Sequence, residues 1–236
     1  MSATKNTKNT ADFQIPPATD PANISANQMA NQDLGSDQQN NSPSAATNHR
    51  QNQTAVFGKS ELLNANQILG QILGIKNGQR VADLGAGGGM FTLQSARLVG
   101  DQGEVYAVDV VKNCLSDIES KARMANLYNI KTVWSNIEIV GATKIPEESL
   151  DFVLLVNVLF QTNKTDQVLK EGKRLLKTGG KMLIIDWSAR KGGVGPRNDR
   201  HISPETINSQ AQKINLIPEQ QFKAGQYHFG QIFIKL

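Results

Sequence analysis

The sequence holds one cysteine, Cys114, and three histidines in 236 residues. A single thiol excludes an internal disulfide and any metal site assembled from several cysteines. His49, His201 and His228 are too few to lead us to expect a metal centre. Aromatic residues are only 6% of the chain. They do not cluster with basic residues into the stacking platform of an RNA-binding module. No apolar run approaches the roughly 18 to 20 residues of a bilayer span; the longest, 152–160, is strand-sized. The N-terminal segment has neither the charged start nor the apolar centre of a secretory signal. It also carries Asp12, Asp20, Asp33 and Asp37, where a transit peptide would be poor in acids. These absences predict a cytoplasmic protein with no membrane partner and no metal.

What is present divides into two textures. Residues 1–55 are crowded with Asn, Gln, Thr, Ser and Ala, with isolated apolar residues such as Phe13, Ile15 and Ile24. No period of 2 or 3.6 runs through them, so they cannot bury enough apolar area to offset the entropy of ordering. A disordered Asn/Gln-rich tail is expected there, followed by one domain over 56–236. The net charge is +4, and the tail contributes about −1 of it. The remainder is mildly basic, with Lys and Arg dispersed; a nucleic-acid partner is permitted but not favoured.

From residue 55 onward, strand and helix signals alternate. Ser60 can cap a helix whose apolar face includes Leu62, Leu63, Ile68, Leu69, Ile72 and Leu73. Strands are expected at 79–84, 104–110, 130–134, 150–158 and 181–186, and a closing hairpin at 221–224 and 228–235. Helices are expected at 89–99, 112–126, 163–176 and 203–213, the last with Pro204 at its first position. The continuous apolar run over 150–158 reads as a central strand of a parallel sheet, covered on both faces. This order predicts a doubly wound α/β sandwich.

In such folds ligands bind at the carboxyl ends of the strands, where strand order reverses. There the sequence reads VADLGAGGGMF, from Val81 to Phe91. A P-loop needs Lys and Ser/Thr after its glycines, and Met90 and Phe91 stand there instead. A dinucleotide fingerprint started at Gly85 or Gly87 would need its last glycine at Met90 or Thr92. What the stretch does contain is Asp-x-Gly-x-Gly-x-Gly, formed by Asp83, Gly85, Gly87 and Gly89. The next strand ends in Asp109, 24 residues after Gly85, where a carboxylate can accept hydrogen bonds from both hydroxyls of a ribose. Two further stretches are Ser135-Asn136-Ile137, after the third strand, and Leu175-Leu-Lys-Thr-Gly-Gly-Lys-Met-Leu-Ile-Ile185.

Taken in order, these four stretches resemble the class I S-adenosylmethionine-dependent methyltransferases. The later order Asp186-Trp187, Gly195-Pro196-Arg197, Ser203-Pro204-Glu205 and Tyr227-His228-Phe229-Gly230 resembles a branch of small bacterial methyltransferases. The resemblance spans about 55–236. It implies a Rossmann-like, doubly wound sheet of seven mostly parallel strands with a C-terminal antiparallel hairpin strand. It implies S-adenosylmethionine as cofactor. Gly85, Ala86, Gly87 and Gly89 would let the turn approach the ligand. Asp83 would hold its ammonium, Asp109 its ribose, and Val110 would pack on the adenine. Asn136, with Ile137, stands where the family places an Asp against the adenine amino group; Thr178 replaces a family proline.

The acceptor side of the family lies beyond the fourth strand, where Asn157 and Gln161 follow an apolar run. Asn157 is expected to line the cofactor or acceptor, and Gln161 the acceptor. Arg197 and Arg200, in the Gly- and Arg-rich loop over 188–201, could clamp an anionic acceptor. His228, at the start of the last strand, could reach the acceptor side. No catalytic base is identified, and Cys114 is expected to be a buried packing residue. The Asn/Asp-Pro-Pro-aromatic loop and Pro-Cys nucleophile of base-modifying enzymes are absent. The expected activity is methyl transfer to a small molecule. The alternatives are an RNA or protein methyltransferase, or a cofactor-binding protein without catalysis.

Overall fold

The computed structural model describes residues 63–188, 195–196 and 200–236. The tail expected over 1–55, Ser60, Leu62 and Arg197 lie outside the described residues. Seven strands form one sheet in the order β3-β2-β1-β4-β5-β7-β6. They are β1 (Arg80–Leu84), β2 (Glu104–Asp109), β3 (Ile130–Trp134), β4 (Leu150–Val156), β5 (Leu176–Trp187), β6 (Leu216–Ala224) and β7 (His228–Lys235). The first five pair in parallel, whereas β7 runs antiparallel to both β5 and β6. Strand order reverses between β1 and β4, and the carboxyl ends of these two strands therefore border the crevice where such folds take ligands.

The helices are α1 (Met90–Val99), α2 (Lys112–Met124), α3 (Thr165–Leu175) and α4 (Pro204–Lys213). Apolar side chains from alternate strand positions fill a core on each face of the sheet. One contains Leu84, Leu155, Ile184 and Phe233 with Val168, Leu169 and Ile207 of α3 and α4. The other contains Val81, Leu154, Leu183 and Ile185 with Phe91 and Val99 of α1. Leu154, Leu155, Ile184 and Ile185 are fully buried, each worth about 1.5–3 kcal/mol of transfer free energy. That double coverage is why β4 and β5 carry continuous apolar runs rather than alternation.

The alternation of elements is as expected, with four differences. The segment after Leu63 is wound as a π-helix over Gln67–Ile72, with Leu73 N–H bonding the Ile68 carbonyl at 2.8 Å. β4 stops at Val156 because Asn157 adopts a left-handed conformation (φ 56°), and a 3₁₀ turn, Leu159–Gln161, follows. The stretch from Lys177 to Gly180 is not a helix stop followed by loop. The chain turns extended at Leu176, which pairs with Leu150 ahead of a register shift. β6 begins at Leu216 rather than 221. It is an edge strand, mostly exposed, with Pro218 beside a register irregularity, the kind of strand that hides its polar sequence from a search for buried alternation.

Candidate active site

The crevice above β1, β2 and β4 opens into a cavity of about 430 Å³. Its wall on the β1 side is the glycine turn. Gly85, Gly87 and Gly89 all have positive φ (83°, 49° and 81°), a region costly for residues with a Cβ. Their surroundings separate their roles. A Cβ on Gly85 would come within 2.6 Å of Val158 Cγ2, and one on Gly89 within 2.6 Å of Ile118 Cγ1. These two glycines let the turn pack on β4's exit and on α2. A Cβ on Gly87 would meet nothing within 4 Å. Gly87 lines the cavity, so only there is the missing side chain room for a ligand.

Asp109 closes β2 at the cavity floor. Its Oδ2 accepts the Gly87 N–H at 2.8 Å, and its Oδ1 accepts the Val111 N–H at 2.9 Å. One carboxylate thus fixes the glycine turn and the start of α2 together, and each oxygen keeps acceptor capacity for a further donor. Beside it Val110 and Val111 are exposed apolar residues (57% and 49%) on the cavity wall, suited to the face of a flat apolar ring. The Trp134 indole Nε1–H donates to the Val110 carbonyl at 2.9 Å and carries Lys112 Nζ 4.0 Å from its ring centroid. The backbone at Val110 is thereby held from β3.

Asn136 and Ile137 line the same cavity. Asn136 Oδ1 accepts the Glu138 N–H at 2.8 Å, so the side chain shapes its own turn. Val158, Gln161 and Thr162 form the β4 wall, joined by Ser135, Glu138 and Val168. Gln161 Nε2 donates to the Asn157 carbonyl at 2.6 Å. Cys114 also lines the cavity, half-buried, and this corrects the expectation that it only packs in the interior. Sequence reasoning could not find Cys114, Glu138 or Thr162, because the register of distant strands, not a motif, brings them together.

Several expected residues sit elsewhere. Asp83 is 2% exposed and lies under the glycine turn rather than on the cavity wall. Its Oδ2 accepts the Thr92 hydroxyl at 2.6 Å, tying β1 to the first turn of α1. Burial pushes its pKa up to about 6, against the bonds from Thr92 that favour the charged form. Ala86 is buried, with its N–H bonded to the Val108 carbonyl. Gly89 precedes α1, and Asn157 contributes its carbonyl rather than its side chain; neither lines the cavity. Arg200 is exposed and no hydrogen bond or ion pair is formed by it among the described residues.

His228 pairs with Trp187 across β7 and β5. Their ring centroids are 4.1 Å apart. Although His228 is 7% exposed, neither ring nitrogen has a hydrogen-bond partner among the described residues. Burial drives its pKa down to about 4, so the imidazole is neutral at physiological pH. Trp187, but not His228, lines a second cavity of about 330 Å³ together with Ser188, His201, Ser203 and Phe229.

The site now has a cradle that a Cβ at Gly87 would fill, a carboxylate at the end of β2 and an apolar wall beyond it. Among the described residues no Lys is placed to hold a polyphosphate on the glycine turn: Lys121 Nζ is spent on the Gly88 carbonyl at 2.8 Å. These features suit an adenosyl amino acid and do not suit a nucleotide phosphate. Fold and site together define a class I, S-adenosylmethionine-dependent methyltransferase. Residues 75–230 match the family model of the methyltransferase domain, and the chain belongs to that family.

Among curated proteins, it resembles the ubiquinone/menaquinone biosynthesis C-methyltransferase UbiE of Edwardsiella ictaluri, with 31% identity over 145 residues, 57% of this chain and 57% of that protein. The protein of the same name from Yersinia enterocolitica is 33% identical over 116 residues, 49% of this chain and 45% of its own length. The chain thus spans about half the length of the curated relatives it matches. Among solved structures, a SAM-dependent methyltransferase from Aquifex aeolicus superposes with a TM-score of 0.68 at 24% identity. That likeness covers 75% of this chain and 92% of that one.

Proposed function

We propose that this chain transfers the methyl group of S-adenosylmethionine to a small, uncharged, ring-bearing acceptor in the cytoplasm, and that the acceptor atom is a ring carbon. The cofactor supplies a methyl carbon already activated by its sulfonium. The protein's tasks are therefore alignment, exclusion of water and removal of a proton where the acceptor requires it. Asp109 accepts the two ribose hydroxyls. Val110 and Ile137 bracket the adenine, Asn136 meets its edge, and Gly87 lets the amino-acid portion lie against the turn that Gly85 packs on Val158. Asp83 acts from below by fixing the turn through Thr92 and lending negative charge near the ligand's ammonium.

On the acceptor side, the reading rests on the Trp187–His228 pair. An imidazole buried with both nitrogens unpartnered costs about 1–3 kcal/mol per missing bond. A neutral, hydroxyl-bearing acceptor would recover part of that cost, and the Trp187 ring offers a flat apolar surface. With a pKa near 4, His228 would be a hydrogen-bond partner and a poor general base. The names of the curated relatives, which place quinone biosynthesis and C-methylation together, support an aromatic acceptor. Gln161, on the wall of the first cavity, and Arg200 remain candidate acceptor contacts; Arg197, the other candidate, is outside the described residues. The test is transfer of label from methyl-tritiated cofactor to a panel of hydroquinones and phenols, with RNA and protein acceptors in parallel. Label in RNA or protein alone would reject the small-molecule reading, and adenosylhomocysteine binding without any transfer would favour a non-catalytic role.

A further inference from the structure

The wall that follows β4 is tied down by two carboxylates that belong to other elements. At its far end, Thr162 donates to Glu138 Oε1 at 2.5 Å, and Lys164 lies 3.4 Å from Glu138 Oε2. In its middle stands Asp186 from the end of β5, 1% exposed. Asp186 Oδ2 accepts the Phe160 N–H at 3.2 Å, Oδ1 accepts the Trp187 N–H at 2.8 Å, and the Leu159 amide adds to these. Gln161 lies between the two anchors, Val158 just ahead of the Asp186 anchor and Thr162 at the Glu138 anchor; these are the residues this wall presents to the cavity.

Burying a carboxylate with backbone amides as its main partners is expensive, and nothing in the parallel pairing of β4 and β5 requires it. The cost is balanced by what the bonds fix. Asn157 leaves β4 with φ 56°, so the chain reverses at once, and Asp186 catches the two amides that come next. We propose that Asp186 is a positioning residue whose ionised carboxylate holds the 157–162 turn against the cofactor cavity, so that ligand affinity depends on its charge. The proposal builds on the cofactor reading given above.

The charge has few modulators. His201 is the titratable group bearing on Asp186 from the segment before α4, and it favours the ionised form. The turn itself offers Asn157, Phe160 and Gln161, none of them charged, and the β7 partner is Phe229. Glu138 and Lys164 act at the turn's other end. Burial raises the Asp186 pKa to about 6, outweighing the amides and His201. Protonation relieves the cost of burying the charge, so the fold as a whole gains stability, but it takes the charge out of both amide bonds. The turn would therefore loosen locally below about pH 6.

Two measurements on the full chain test this. Calorimetric titration with adenosylhomocysteine should give a dissociation constant that rises about tenfold from pH 7.5 to pH 5, the effect of one charge-assisted bond. D186N should bind about tenfold more weakly at pH 7.5 and lose most of that pH dependence; what remains belongs to Asp83. Hydrogen exchange at the Phe160 amide of the unmodified chain needs no variant. After correction for intrinsic rates, its protection should fall below pH 6 while that of Leu154 in β4 holds. A pH-independent affinity, an unchanged pH dependence in D186N, or steady Phe160 protection across pH 6 would each overturn the proposal. Should the unmodified chain bind no adenosylhomocysteine at pH 7.5, the cofactor reading fails, and the exchange data alone decide the role of Asp186.

Discussion

Replacing Asp109 by alanine removes the acceptor assigned to both ribose hydroxyls and frees the amides of Gly87 and Val111, now bonded at 2.8 and 2.9 Å. A hydrogen bond to a charged group is worth about 1.5–3 kcal/mol when buried. The cavity is open to water, so the two together should be worth about 1–3 kcal/mol. At 1.4 kcal/mol per decade, adenosylhomocysteine should bind roughly 5- to 150-fold more weakly. Loosening of the glycine turn contributes to that loss and must be separated from it. A double cycle with the 2′,3′-dideoxy analogue does so, because turn loosening affects both ligands alike. By calorimetry, the unmodified protein should prefer the ribose ligand, and D109A should bind the two nearly equally. Were D109A to keep the full preference, the hydroxyls are read elsewhere and the assignment of Asp109 is wrong.

The glycines should divide by function. Gly85→Ala drives a Cβ into Val158 and should cost roughly 2–4 kcal/mol of fold stability from strain and overpacking; Gly87→Ala should cost about 1–2 kcal/mol yet abolish measurable cofactor binding. Urea melts and calorimetry together distinguish these outcomes. The two buried aspartates give a pH prediction. Asp83 and Asp186 both have folded pKa values raised to about 6, so the stability they contribute is full below their unfolded values near 4 and is lost as pH rises through 6. Asp83→Asn should therefore flatten the fall in urea midpoint between pH 4 and 7, by up to about 2–3 kcal/mol; a midpoint that rises over that range in the unmodified protein and falls in the variant would contradict the sign. His228→Phe keeps an aromatic partner for Trp187 and removes two unpartnered nitrogens. It should raise stability by about 1 kcal/mol while raising the acceptor KM several-fold. Equal acceptor KM values would detach His228 from the acceptor.

Much of the architecture was legible because burial writes itself into composition. β4 and β5 are covered on both faces, and their apolar runs mark them as central strands. The capping pair Ser203-Pro204 set the start of α4, where Ser203 Oγ accepts the Thr206 N–H at 3.2 Å. β6 was only half seen because an edge strand packs on one side and meets water on the other. Within the site, Asp109 and the glycines could be found from spacing along the chain. Asp83 could be located but not its orientation, since whether a carboxylate faces ligand or core depends on Thr92, in the first turn of the next helix. Asp186 escaped notice for a related reason. A lone acid ending an apolar strand looks like a strand terminus until the fold folds the Leu159–Gln161 turn back over it.

Cys114 has a practical side. It is the sole thiol of the sequence and stands on the wall of the cavity proposed for the cofactor, a few residues along from Asp109. Burial and the nearby Asp109 and Asp117 carboxylates raise its pKa, so alkylation should be slow at neutral pH and faster in mildly alkaline buffer. The protein therefore carries its own occupancy gauge: without any engineered label, the rate of thiol modification reports whether the cavity is filled.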